Sequence, residues 1–369
     1  MTLIDPYRLP AHTRPLRYEV TLEPNLAAAR FSGSVTITVE TSEDDAELIL
    51  NAADLEISAC QVDEHPVSFA LDAATERLIL EGSVTAGQHT VEVAFTGVLN
   101  DQFRGWYRST YVADDGTTAV IATSQMQSTD CRRAFPCWDE PDFKAQFSIT
   151  LIVDPDMMAL SNGPELERQP TEDGKVAVRF AETMPMSSYL VAFIVGPLEA
   201  TDWTESNGTP IRTVHVPGKG HLANFSLDVA RFSLNWFENY YGIPYPSDKV
   251  DLVGLPDFAA GAMENVGCVT FREQLLLIDP TTATEHELHR VATIVAHELA
   301  HMWFGDLVTM NWWNGIWLNE AFATFMEVAA TEAFRPSWES WTMFGIDRSA
   351  ALEVDALSST RSVEFPVTA

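Results

Sequence analysis

Lysine is nearly missing from this sequence: four residues in 369, beside 18 arginines. The 22 basic side chains face 53 acidic ones, for a net charge of −31. A chain so short of cations cannot neutralise a phosphate backbone, which excludes nucleic acid as a partner and disfavours adsorption to an anionic membrane. Long apolar runs are lacking as well, and no stretch approaches the roughly 18 residues that mark a bilayer-spanning helix. The opening Met1-Thr2-Leu3-Ile4-Asp5-Pro6 has neither the basic nor the apolar region of a signal peptide. Cysteine is sparse. Cys60, Cys131, Cys137 and Cys268 fall at spacings that match no zinc or redox motif. A reduced, cytoplasmic chain with buried thiols is therefore expected, with a Cys131–Cys137 disulfide as the alternative. There is no P-loop and no Gly-x-Ser-x-Gly elbow, so neither nucleotide cradling nor a hydrolase serine is signalled.

What is present is a globular composition, 46% hydrophobic and 20% charged. At roughly 150 residues per domain, the length suggests two or three domains. The first two hundred residues alternate with period two. Tyr18, Val20 and Leu22 do so, then Val35, Ile37 and Val39, and Val91, Val93 and Phe95. Phe147, Ile149 and Leu151 follow, and Val176, Val178 and Phe180. Turn residues separate these runs, among them Pro24-Asn25, Asp114-Asp115-Gly116 and Asn162-Gly163-Pro164. Many short strands so spaced predict an antiparallel sandwich or saddle-like sheet. After about residue 200 the period lengthens. Leu222, Phe225, Val229, Phe232 and Trp236 predict a helix over 222–241 ended by Pro244 and Pro246. A second helix is predicted over 285–304, stopped by Gly305, and a third from Asn319 to Phe334, before Pro336. The expected organisation is a β domain over 1–200 and an α+β domain over 201–369.

Within the second helix sits His297-Glu298-Leu299-Ala300-His301. Histidines four apart share one helical face, so both imidazoles can reach one ion. Glu298 is about 100° round the helix from His297 and can address a bound water instead of ligating. A catalytic zinc takes three protein ligands and keeps an open position. Glu320, in Trp317-Leu318-Asn319-Glu320-Ala321, is the candidate third ligand. Eighteen residues separate it from His301, enough to finish one helix and begin another against it. His286 and His289 lie two turns or more before His297, and His12, His65, His89, His215 and His221 have no partner at ligand spacing.

Gly261-Ala262-Met263-Glu264-Asn265 ends 32 residues before His297. Together with the His297–His301 motif and the Glu320 block it resembles the M1 family of zinc aminopeptidases, of the gluzincin group. Thr123-Ser124-Gln125-Met126-Gln127, followed by Phe135-Pro136-Cys137-Trp138-Asp139-Glu140-Pro141, looks like the family's N-domain substrate segment. Leu99-Asn100-Asp101 and Gly105-Trp106-Tyr107-Arg108-Ser109 are similar to another family block. The resemblance spans nearly the whole chain. It implies a saddle-shaped β domain followed by a thermolysin-like catalytic domain. It also implies one Zn²⁺ per chain on His297, His301 and Glu320, with Glu298 as general base, releasing single residues from peptides with a free N-terminus. Glu264 matches the amine-binding glutamate, Gln127 the N-domain position that also faces the amine, and Gln125 a neighbouring pocket residue. Gly261, Ala262 and Met263 would pair with the peptide as an added strand, and Asn265 closes that motif. Glu327, seven residues after Glu320, is on nearly the same helical face and is expected to orient an imidazole.

One family element is not found. The oxyanion tyrosine lies roughly sixty residues beyond the third ligand in this family. Here that position falls past Ala369, and Tyr245 is the last tyrosine. The chain is thus expected to stop inside the catalytic domain, before a C-terminal helical region. Two alternatives follow: a lipid-epoxide hydrolase of the same family, which Ala262 in place of glycine disfavours, and a non-catalytic fragment on the same fold. Oligomeric state and the preferred N-terminal residue are not legible.

Overall fold

The alternating runs form strands, and their apolar residues are the core. Tyr18, Val20 and Leu22 lie in Thr13–Asn25, Val35, Ile37 and Val39 in Arg30–Thr41, and Val91, Val93 and Phe95 in Gly87–Val98. All nine are buried. Period-two chemistry produces this because successive side chains leave a strand on opposite faces. Register then stacks them: Val20 pairs Val35, which pairs Val93. The computed structural model describes residues 7–113 and 116–367; Asp114 and Asp115 of the expected turn, and residues 1–6, lie outside them.

The described chain divides into two units. The first runs to Leu198 and also takes in Asn265–Cys268. It contains an eight-stranded, a four-stranded and a three-stranded sheet. Among the described strands of these sheets the ladders are antiparallel except one: Thr13–Asn25 runs parallel to Gln146–Val153. Parallel neighbours need a long crossover, and the intervening strands supply it. Tyr18 and Phe147, opposite each other in that pair, stack at 4.7 Å between ring centroids. Trp106 meets Phe31 and Phe193 edge to face at 5.0 and 5.6 Å.

The second unit comprises Glu199–Glu264 and the chain from Val269 onward. Its sheet places Thr209–His215 parallel to Val250–Leu255, with Cys268–Arg272 and then Ala262–Met263 beyond. Four α-helices are described: α1 (Asn224–Tyr241), α2 (Glu285–His301), α3 (Ile316–Phe334) and α4 (Ser340–Asp355). Phe237, Val291, Val295, Leu299, Ala323 and Met326 are buried among them. None of these helices is long and apolar enough to cross a membrane.

The helix ends differ from expectation for local reasons. Leu222 belongs to a preceding 3-10 turn, and α1 is closed by Gly242 at φ 66°, before either proline. A glycine in the left-handed region ends a helix at little steric cost. Helix α2 stops at His301, three residues before Phe304, because the chain needs Gly305 at φ 136° for the turn beyond. Helix α3 begins at Ile316, so Glu320 lies inside its second turn and not at its start.

The start of α2 is a capping box. Thr284 Oγ1 accepts from Glu287 N, and Glu287 Oε2 accepts from Thr284 N at 2.8 Å. Thr284→Ala is expected to cost about 0.5–2 kcal/mol, read as a lower urea midpoint with an unchanged slope. An unchanged midpoint would show that packing alone sets this helix.

All four cysteines are buried, and none is in a disulfide. Cys131 and Cys137 approach Asp139, with one ligand atom of each within 4.8 Å of the others. The grouping is ill suited to a metal. Burial pushes both thiols up. The Asp139 carboxylate is taken by Arg132 Nε at 2.9 Å and Ser188 Oγ at 2.6 Å.

Candidate metal centre

The i, i+4 spacing on α2 brings the two imidazoles together as helical geometry requires. His297 Nε2 and His301 Nε2 are 3.0 Å apart. Helix α3 packs against α2 and presents Glu320 Oε2 at 3.4 Å from His297 Nε2 and 3.7 Å from His301 Nε2. A zinc ion with imidazole and carboxylate ligands at about 2.0–2.2 Å sets tetrahedral donors about 3.3–3.6 Å apart. The three distances found here, 3.0, 3.4 and 3.7 Å, bracket that range to within about 0.3 Å, and the two-nitrogen, one-oxygen set suits Zn²⁺.

The outer nitrogens explain why Nε2 points inward. His297 Nδ1 is 2.6 Å from Glu327 Oε2, and His301 Nδ1 is 2.9 Å from the Phe304 carbonyl. An acceptor on Nδ1 fixes the tautomer that leaves Nε2 with its lone pair toward the centre. The Phe304 carbonyl gave no sign in the sequence, since a backbone acceptor is common to every residue type. Its position follows from the end of α2, which turns the chain back under His301.

Carboxylates dominate the surroundings. Glu298 is buried, one position on from His297, and burial pushes its carboxyl up to about 7 although both imidazoles pull the other way. Glu264 follows the strand Ala262–Met263 and is likewise buried; burial raises its pKa, against the pull of His301. Glu264 Oε1 has no hydrogen-bond partner among the described residues. Glu264, Glu298 and His301 bring ligand-type atoms within 4.8 Å of one another. Burial opposes the charge on Glu320 too, but hydrogen bonds to His297 and His301 win and hold it well below the usual carboxylate range. Burial would lower His297; with no ion taking its Nε2 lone pair, hydrogen bonds to Glu320 and Glu327 instead lift it well above an ordinary imidazole.

Six predicted residues, His297, Glu298, His301, Glu320, Glu327 and Glu264, therefore converge within the second unit. Met263 is buried, Ala262 half-buried and Gly261 exposed on the approach to Glu264. Gln125 ends the strand Thr118–Gln125 in the first unit, with Gln127 two residues beyond, both half-buried. Asn265 is buried and also counts with the first unit.

A β unit thus precedes, along the chain, an α+β unit in which two histidines and the carboxylates of Glu320 and the buried Glu298 come together, a donor set that suits one Zn²⁺. The Peptidase M1 N-terminal domain matches residues 14–190, and the Peptidase family M1 domain matches residues 225–369. The chain belongs to peptidase family M1. It is 42% identical over 365 residues to Aminopeptidase M1-D of Oryza sativa subsp. japonica, covering 98% of this chain and 42% of that protein. Aminopeptidase M1 of Arabidopsis thaliana is 41% identical over 371 residues, covering 98% and 42%. Puromycin-sensitive aminopeptidase of Caenorhabditis elegans is 40% identical over 370 residues, covering 98% and 39%. The chain thus spans about two fifths of the length of the curated relatives it matches.

Proposed function

We propose that the protein is a zinc-dependent aminopeptidase that releases single residues from peptides with a free N-terminus. The observation that carries this reading is the donor triangle of His297, His301 and Glu320, flanked by two buried glutamates in different roles. Zinc, when bound, supplies a Lewis acid that acidifies water and polarises the scissile carbonyl. His297 and His301 would hold it through Nε2, and Glu320 through its carboxylate.

Glu298 takes a proton from the attacking water at its carboxylate and delivers one to the departing amine nitrogen, as a general base and then a general acid. Its burial excludes bulk water, so the proton is not lost between the two steps. Glu264 receives the substrate's α-ammonium in a charge-assisted hydrogen bond. Fixing the terminal nitrogen sets the cut one residue from the end. Gly261 to Met263 offer backbone groups to the peptide as an added strand.

The test pairs metal analysis with substrate choice. One zinc per chain and hydrolysis of amino-acyl anilides are expected, with an epoxide substrate left untouched. A protein that carries zinc but opens only the epoxide would overturn the peptidase assignment. Glu327 is assigned to orienting His297. Glu327→Ala is expected to weaken zinc binding about 10- to 100-fold, measured by competition with a chelator; unchanged affinity would make it an ordinary surface glutamate.

A further inference from the structure

Residues 256–261, which lead into Glu264, form neither helix nor strand. Ala259, Ala260 and Gly261 are exposed and small, so burial cannot order them. Arg272 ties this segment down at three carbonyls. Arg272 donates through Nε to the Phe258 carbonyl at 3.1 Å and through Nη2 to the Ala259 carbonyl at 2.6 Å. Its backbone N–H reaches the Gly261 carbonyl at 2.9 Å.

The placement follows from register. Arg272 ends the strand Cys268–Arg272, in which Thr270 lies opposite Met263 and Phe271 opposite Ala262. Its N–H adds one more rung to that ladder, and its side chain then grips the carbonyls just before it. A guanidinium is suited to this. Its donors are fixed in a plane, and its charge persists at every working pH. Hydrogen bonds from a charged donor are also stronger than those between neutral groups.

We propose that Arg272 is a positioning residue for amine recognition: by holding the carbonyls of Phe258, Ala259 and Gly261 it sets the strand Ala262–Met263 and so delivers Glu264 to the donor cluster. This rests on the reading of Glu264 as the amine anchor, but the ordering of the segment can be tested apart from it. The experiment compares Arg272→Ala and Arg272→Lys with the parent in the intact protein.

Hydrogen exchange of residues 256–264 is expected to quicken about tenfold or more in Arg272→Ala, with α2 unchanged, because local opening no longer breaks charge-assisted bonds. KM for a free-amine amino-acyl anilide is expected to rise about tenfold while kcat stays within about threefold and zinc content holds. Arg272→Lys, which keeps the charge but not the fork, should recover part of both effects. Unchanged exchange over 256–264 overturns the proposal whether or not the protein cleaves peptides. So does quickened exchange with an unaltered KM, or a loss of zinc together with faster exchange throughout α2, which would mark a purely structural role. A parent protein that cleaves free and N-acetylated substrates equally would instead refute the amine-anchor reading, and the exchange data would still decide what Arg272 orders.

Discussion

Glu298→Gln is expected to keep its full complement of zinc and to lose about 10²- to 10⁴-fold in kcat, the usual contribution of a positioned general base. The argument is geometric. Glu298 follows His297 on α2 and so leaves the helix about 100° away from it. The ligand triangle is closed by His301 and Glu320, which come within 3.7 Å of each other without help from Glu298. Glutamine has the same shape and still accepts hydrogen bonds, but it cannot take up a proton. The change thus removes one function and leaves packing alone. Zinc content, kcat and KM should be measured on the same preparation. Turnover within about threefold of the parent would refute the assignment of Glu298 as base. Loss of zinc would refute its exclusion from the ligand set. Mutating a ligand is expected to act differently: His301→Ala should abolish zinc binding and activity together.

Residues whose neighbours are dictated by chain geometry were the legible ones. His297 and His301 had to share a face of α2 because four residues make about one turn. Glu327 had to lie near Glu320's face of α3 for the same reason, and it is indeed beside His297. Strand residues such as Val20, Val35 and Val93 were equally plain, since alternation encodes burial directly. Groups that act through the backbone were not legible. The Phe304 carbonyl and the three carbonyls gripped by Arg272 carry no side-chain signature. Helix α4 escaped as well. Trp341, Met343, Ile346, Leu352 and Val354 are all exposed, so its apolar residues mark no single buried stripe to read. The proline pair after α1 misled because Gly242, two residues earlier, already permitted the left-handed cap. The role proposed for Glu264 rests on family resemblance: a glutamate in a run of small residues says nothing by itself.

Burial gives Glu264 a testable meaning. A buried carboxylate with an unpaired oxygen costs stability, and its raised pKa is the sign of that cost. A substrate ammonium would supply the missing partner. Glu264→Ala is therefore expected to lower kcat/KM for free-amine substrates about 10²- to 10³-fold, the scale for truncating one side of a buried charge pair. The zinc content should not change, because the triangle of His297, His301 and Glu320 is intact without it. N-acetylated peptides should be poor substrates for both proteins, so the preference for a free amine collapses in the variant. The same substitution should leave Tm unchanged or raise it, since it removes an unsatisfied polar group at a site kept for binding. That combination separates recognition from folding. A fall in Tm together with activity would make Glu264 a structural residue. A parent protein that cleaves free and acetylated peptides alike would refute the aminopeptidase reading itself, because a terminal residue can be singled out only if something in the site binds its charge.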